Sequence, residues 1–178
     1  MDALVCRIYQ RLMRARRKPE AVAAVKSVAD QIDIIATRHG LDPLLVSAIV
    51  QVESGGNQWA MRYEPHFEWI TDDRPKGVSA ATEIEQQRTS WGLMQVMGAT
   101  ARDLGCDAPF LSVLCSPSVG LEYGCRYLAR QLERYGSEVE AVAAYNAGSV
   151  RRSGDEFVNQ SYVDKVWRVY SRLRGDVA

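Results

Sequence analysis

An all-α domain is the fold this sequence predicts, and three observations predict it. Apolar residues recur at steps of three and four along most of the chain, the period of a helix that buries one face. No stretch of useful length alternates apolar with polar residues, as a half-buried strand would. Glycines, prolines and Asp or Ser caps stand where the periodic stretches begin and end. The chain has 178 residues, 47% hydrophobic and 25% charged. That is a globular composition, and the length suffices for one domain with a sizeable core.

The elements follow in order. Residues 1–20 place Leu4, Val5, Ile8 and Leu12 on the apolar side of an amphipathic helix. Arg7, Arg11, Arg14, Arg16, Arg17 and Lys18 surround them, against Asp2 and Glu20. Such a cluster reads as a solvated helix face; it also suits contact with an anionic surface such as wall polymers or lipid headgroups. Residues 20–38 continue with Val22, Val25, Ala29, Ile32 and Ala36 in helical register, closed by Gly40. Asp42-Pro43 then opens a helix as N-cap and first helical residue, and Gly55-Gly56 stops it after Ser54.

Past Pro117, Leu121, Cys125, Leu128, Leu132 and Tyr135 form a stripe that ends at Gly136. Ser137 is expected to cap a helix over 138–145 in a capping box with Glu140. A last helix over 161–174 is expected to turn Tyr162, Val166, Val169 and Leu173 inward. Between these, residues 56–90 are the least regular, with Pro65, Pro75 and Gly77. Their aromatics, Trp59, Tyr63, Phe67 and Trp69, predict an ordered insertion, since flexible linkers rarely carry such residues. The expected organisation is N-terminal helices over 1–39 packed on a domain over 40–178.

Composition narrows the function. Lys+Arg and Asp+Glu both total 22, without the basic excess of a dedicated nucleic-acid binder. Cys6, Cys106, Cys115 and Cys125 match no zinc or Cys-x-x-Cys spacing, and His39 and His66 are the only histidines. Neither a metal nor a cofactor is expected, and buried free thiols are the default. The start lacks the apolar stretch and small-residue cleavage site of a secretory signal, and no run is long and apolar enough to span a membrane. A monomer made in the cytoplasm without a signal peptide is the expectation.

Glu53 is the most informative residue. Val46, Ile49, Val50 and Glu53 fall at i, i+3, i+4 and i+7, so the carboxyl continues the apolar face of its helix. Burial there disfavours the charged form, and the negative end of the helix dipole acts in the same direction. Both would hold a carboxylic acid protonated near neutral pH, as a general acid requires; on helix geometry alone the alternative is a boundary glutamate whose head reaches water past the helix end. A second segment, Ser90-Trp91-Gly92-Leu93-Met94-Gln95, has groups suited to a sugar. Gly92 lets the backbone pass close to a ring, Gln95 offers an amide, Ser90 a hydroxyl and Met94 an adaptable apolar contact. For Met94, plain core packing is the alternative.

Four segments in this order carry a resemblance: Gln51-Val52-Glu53-Ser54-Gly55-Gly56-Asn57; Ser90 to Met97 followed by Ala99-Thr100-Ala101; Ala144-Tyr145-Asn146-Ala147-Gly148; and Ser161-Tyr162-Val163-Asp164-Lys165-Val166. Together they resemble the catalytic domain of the soluble lytic transglycosylases, relatives of goose-type lysozyme, over residues 40–174. The resemblance implies a lysozyme-like helical fold and cleavage of the β-1,4 bond between N-acetylmuramic acid and N-acetylglucosamine in peptidoglycan. It assigns Glu53 the role of catalytic acid and base, leaving a 1,6-anhydro product. It aims Ser54, Tyr145 and Asn146 at the cleft and sets Tyr162 near Glu53, where core packing is the alternative. A single carboxyl group working twice departs from the usual two-carboxylate scheme of glycosidases.

The chain departs from the family pattern twice. The stretch between Glu53 and Gly92 is long, and its Tyr63-Glu64-Pro65-His66 is similar to an aromatic-Glu-x-His pattern of phage muramidases. Glu64 is therefore either a second carboxylate in the site or the partner of an arginine. Many relatives carry a Glu four residues before the final Tyr, where this chain has Val158. Two other readings stand beside the transglycosylase. One is a hydrolytic muramidase in which Glu64 or Glu68 activates water; the other is a non-catalytic wall-binding virion component. Acting on the wall without an export signal implies delivery by a phage particle, a holin or a specialised secretion apparatus, and the insertion favours a phage origin.

Overall fold

A computed structural model describes residues 27–72 and 74–176. The basic segment 1–20 and the Val22–Val25 part of the next stripe lie outside the described residues. The first described helix, α1 (Val28–Arg38), starts with a capping box: Ser27 Oγ accepts from the Asp30 amide, and the Asp30 carboxylate accepts from the Ser27 amide. It buries Ile32, Ile35 and Ala36, while Ala29 of the expected stripe is exposed. Helix α2 (Pro43–Ser54) is the central element. Asp42 caps it by accepting the Leu44 amide at 2.8 Å, and its other oxygen accepts the Tyr170 hydroxyl at 2.6 Å. The cap therefore also ties α2 to the last helix. Gly55 closes α2 in the left-handed region, at φ 61°.

The insertion is ordered and holds elements the periodicity did not reveal. Strand β1 (Met61–Tyr63) pairs antiparallel with β2 (Thr89–Trp91), which pairs with β3 (Val96–Met97). Helix α3 (Ala80–Gln87) lies between β1 and β2. Strands of two and three residues are too short for alternation to register, which is why an all-α reading missed them. Helix α4 (Gly98–Asp103) and a 3-10 turn (Leu111–Cys115) lead to α5 (Pro117–Tyr135) and α6 (Glu138–Ala147). A two-stranded ribbon, β4 (Arg152–Ser153) and β5 (Glu156–Phe157), precedes α7 (Gln160–Arg174). The architecture is mostly helical, with two small sheets added.

Helix α2 packs against α7 on one side and α1 on the other, and α5 packs against α1 and α6. Leu45, Val46, Ala48 and Ile49 of α2 are buried at the centre with Leu121, Cys125 and Leu128 of α5. Two expectations need correcting. Ser137 stands at the N-cap of α6 without a side-chain cap, because Glu140 reaches Arg152 at 3.1 Å instead. On α7 the inward face is Val163, Val166 and Tyr170; Leu173, expected inside, is exposed. Cys106, Cys115 and Cys125 are free and buried, and burial pushes the Cys125 thiol up to about 12. Among the described residues no helix is long and apolar enough to cross a membrane, and no cluster of potential metal ligands occurs.

Candidate active site

A cleft of about 910 Å³ opens beside the end of α2. One wall is the insertion, with Arg62, Glu64, His66, Phe67, Glu68 and Trp69. Ser90, Gln95, Val96 and Met97 line it from the small sheet, and Tyr127, Tyr145, Asn146 and Arg151 from the helical side. Glu53 also lines this cleft. The volume is at the upper end of the roughly 300–1,000 Å³ typical of ligand sites.

Glu53 sits in the last turn of α2, following the fully buried Val46 and Ile49 along the same face. Burial raises its pKa above the ordinary 4.5; the Tyr162 hydrogen bond and the charge of Arg62 oppose that rise without cancelling it. The Tyr162 hydroxyl donates to Glu53 Oε1 at 2.7 Å. Its own pKa is pushed far up, first by burial and then by the negative charge of Glu53. The shift favours the protonated hydroxyl, the form that donates to Glu53.

The segment from Ser90 to Gln95 forms a tight turn whose geometry is internal. Gly92 has φ 71°, and a Cβ there would lie 2.3 Å from the Leu114 carbonyl oxygen. Close approach to backbone requires glycine at this position. Gln95 holds φ 46°, a left-handed conformation rare outside glycine. Its side chain closes the turn: Nε2 donates to the Ala60 and Gly92 carbonyls at 3.0 and 2.9 Å, and Oε1 accepts from Ser90 Oγ at 3.1 Å. The amide expected to meet a sugar is therefore engaged with protein, although Gln95 and Ser90 both line the cleft.

The remaining residues divide between wall and support. Ser54 Oγ donates to the Leu93 carbonyl at 2.8 Å, tying the end of α2 to the turn. Met94 is fully buried against Gly124, where an added Cβ would meet its sulfur at 2.3 Å. It is a core residue, and its carbonyl accepts the Tyr145 hydroxyl at 2.8 Å. Tyr145 is buried with its ring 5.2 Å from Tyr127, and it lines the cleft with the exposed Asn146. Asn146 Oδ1 accepts from Asn159 Nδ2 at 3.0 Å. Glu64 lines the cleft and forms an ion pair with Arg62. Thus Glu53, Glu64, Ser90, Gln95, Tyr145 and Asn146 share the cleft, and Tyr162 touches Glu53 from outside its lining. Ser54, Gly92 and Met94 lie behind the wall.

Residue-by-residue reading missed Arg62, Tyr127 and Arg151 in the cleft, and a buried polar cluster behind the insertion. There Arg102 donates to both oxygens of Glu83, at 2.7 and 3.0 Å, while the Gln87 amide donates to Glu83 at 2.9 Å. The available signal was Glu83, Gln86 and Gln87 at i, i+3 and i+4. A polar stripe of that spacing ordinarily faces water, and only a partner 19 residues away turns it inward.

Residues 30–161 match the family described as Transglycosylase SLT domain. A transglycosylase of Enterobacteria phage PRD1 is 28% identical over 147 residues, covering 83% of this chain and 44% of the phage protein. The invasion protein IagB of Salmonella typhimurium is 31% identical over 90 residues, covering 49% of this chain and 54% of that protein. The chain thus spans about half the length of these relatives. Protein IpgF of Shigella sonnei is 24% identical, with 83% of this chain and 84% of that protein covered. An inactive mutant of the lytic transglycosylase Slt from Pseudomonas aeruginosa superposes with a TM-score of 0.55. That similarity covers 88% of this chain and 25% of Slt at 22% identity, and it shows the lysozyme-like helical fold that the four motifs implied. The chain belongs to the transglycosylase SLT domain family.

Proposed function

We propose that this chain is a peptidoglycan lytic transglycosylase in which Glu53 acts first as acid and then as base. The observation that carries the proposal is a carboxyl group at the end of α2, facing a long cleft, with burial raising its pKa and a tyrosine hydroxyl on one oxygen. The Tyr162 bond occupies Oε1, so Oε2 is the oxygen suited to carry the proton. Glu53 gives that proton to the oxygen of the β-1,4 bond between N-acetylmuramic acid and N-acetylglucosamine. As carboxylate it then takes the proton of the muramic acid 6-hydroxyl, which attacks C1 and closes the 1,6-anhydro ring. The substrate's N-acetyl group shares the positive charge that develops at C1. Proton transfer by a placed side chain contributes about 10²–10⁴-fold.

Ser90, Gln95, Tyr145, Asn146 and Glu64 form the walls that receive the strand, with Ser54, Gly92 and Met94 acting from behind through the backbone. A hydrolytic reaction would instead require a second carboxylate to activate water. Glu64 shares the cleft but its carboxylate is ion-paired with Arg62, an engagement that the single-carboxylate route leaves undisturbed. The substrate is cell-wall glycan, and similarity to a phage transglycosylase supports delivery by a phage particle or through a holin. Digestion of purified peptidoglycan, followed by mass spectrometry, tests the proposal. Muropeptides lighter by one water are expected, with a loss of at least about 100-fold in Glu53→Gln. Reducing ends labelled from heavy water would replace it by hydrolysis with Glu64 or Glu68 as partner. A Glu53→Gln variant as active as the parent would overturn both.

A further inference from the structure

The insertion displays a large aromatic ring that the reaction above does not use. Trp69 is 82% exposed, more than any other large apolar side chain among the described residues. It nevertheless lines the same cleft as Glu53, beside Phe67 and His66. Leaving an indole in water forgoes the transfer free energy that burial would supply, as it does for Trp91 in the core. A ring held out at the cleft wall is open to whatever enters the cleft.

The backbone carrying Trp69 is held on both sides. Before it, the Phe67 amide donates to the Glu64 carbonyl, and the Phe67 carbonyl accepts from Arg88 Nε, both at 3.0 Å. After it, Thr71 is gripped at two points: its amide donates to Gln87 Oε1 at 2.8 Å, and its carbonyl accepts from Gln87 Nε2 at 3.0 Å. Gln87 is itself fully buried and held by Glu83, which pairs with Arg102. The buried polar cluster thus ends in a clamp on the segment that presents the indole. Ordering the platform beforehand spares the entropy of ordering it on binding.

An aromatic face suits a pyranose ring in particular. The sugar's axial C–H groups pack against the electron-rich π face, while its equatorial hydroxyls stay in water. Carboxylates and amides bind sugars by hydrogen bonds, but a hydrocarbon platform is what distinguishes the faces of a ring. We propose that Trp69 is a sugar-stacking subsite of the cleft, taking one pyranose ring of the glycan strand. This rests on the glycan reading of the cleft and adds a binding determinant that lies outside the four family motifs.

The test uses the full chain carrying Glu53→Gln, which binds without cutting, titrated with peptide-free glycan strands prepared from murein. Tryptophan emission is followed, and affinity is checked by calorimetry. Binding is expected to shift the emission, and adding Trp69→Ala should abolish that shift and weaken affinity about tenfold. Trp69→Tyr, which keeps an aromatic face, should stay within about threefold of the parent. Trp59→Ala is the control, since Trp59 is 69% exposed but outside the cleft lining, and its affinity should be unchanged. Tight binding by the parent with equal affinity in Trp69→Ala overturns this proposal alone. Failure of the parent itself to bind the strands overturns the glycan reading with it.

Discussion

Tyr162 and Glu53 are 109 residues apart in the chain, and the tyrosine hydroxyl donates to the glutamate at 2.7 Å. The bond acts against burial: burial raises the Glu53 pKa, and Tyr162 lowers it. Removing the hydroxyl therefore raises that pKa further. A general acid works while protonated, so activity is lost as pH rises through its pKa. In Tyr162→Phe the alkaline limb of the rate profile should move to higher pH. Turnover should fall roughly 10–100-fold, because the carboxylate formed on proton donation has lost its donor. Digestion rates measured across pH check both; a limb that stays in place would reduce Tyr162 to packing.

The Glu83–Arg102 pair has side chains 4% and 1% exposed. Arg102→Met should cost about 3–5 kcal/mol, since it leaves a buried carboxylate without its counter-charge. Adding Glu83→Leu should recover much of that loss. Burial pushes the Glu83 pKa up, but hydrogen bonds from Arg102, Gln87 and Gln86 outweigh it and leave it below 4.5. The parent's stabilisation is thus present above pH 4.5 and lost as pH falls through the depressed value. In Arg102→Met the slope should reverse, because the isolated carboxyl prefers its proton. Urea unfolding at several pH values reads both the cost and the sign.

Gly92 offers a third measurement. Alanine there meets the Leu114 carbonyl at 2.3 Å and must hold φ 71°. Gly92→Ala should cost about 2–4 kcal/mol in urea unfolding. The KM for peptidoglycan of the folded fraction should stay near the parent's. A raised KM with unchanged stability would restore the expected sugar contact at this position.

What the sequence made legible tracks the range of the interactions involved. Helices α2, α5 and α7 could be read because caps, glycine stops and apolar stripes are local. Glu53 stood out for the same reason, as a carboxyl continuing the stripe of Val46, Ile49 and Val50. Gln95 was expected to offer its amide to a sugar, and the turn that this amide closes with Ala60, 35 residues away, was not legible. Leu173 was placed inside because it continues the Val166–Val169 spacing, yet α7 is rotated so that Val163 and Tyr170 face the core. That rotation is fixed by α2, including the bond from Tyr170 to Asp42. The strands of the insertion and the Glu83 cluster exist only through distant partners, which periodicity does not record.

The packing of α7 on α2 also orders events in time. A chain emerging N-terminus first exposes Glu53 long before Tyr162 follows it. Until α7 has emerged and docked, the carboxyl lacks the hydroxyl that positions it, and the central helix lacks one of its two flanks. On the proposed reaction, a polypeptide whose α7 has not yet docked is therefore expected to fall short of full activity.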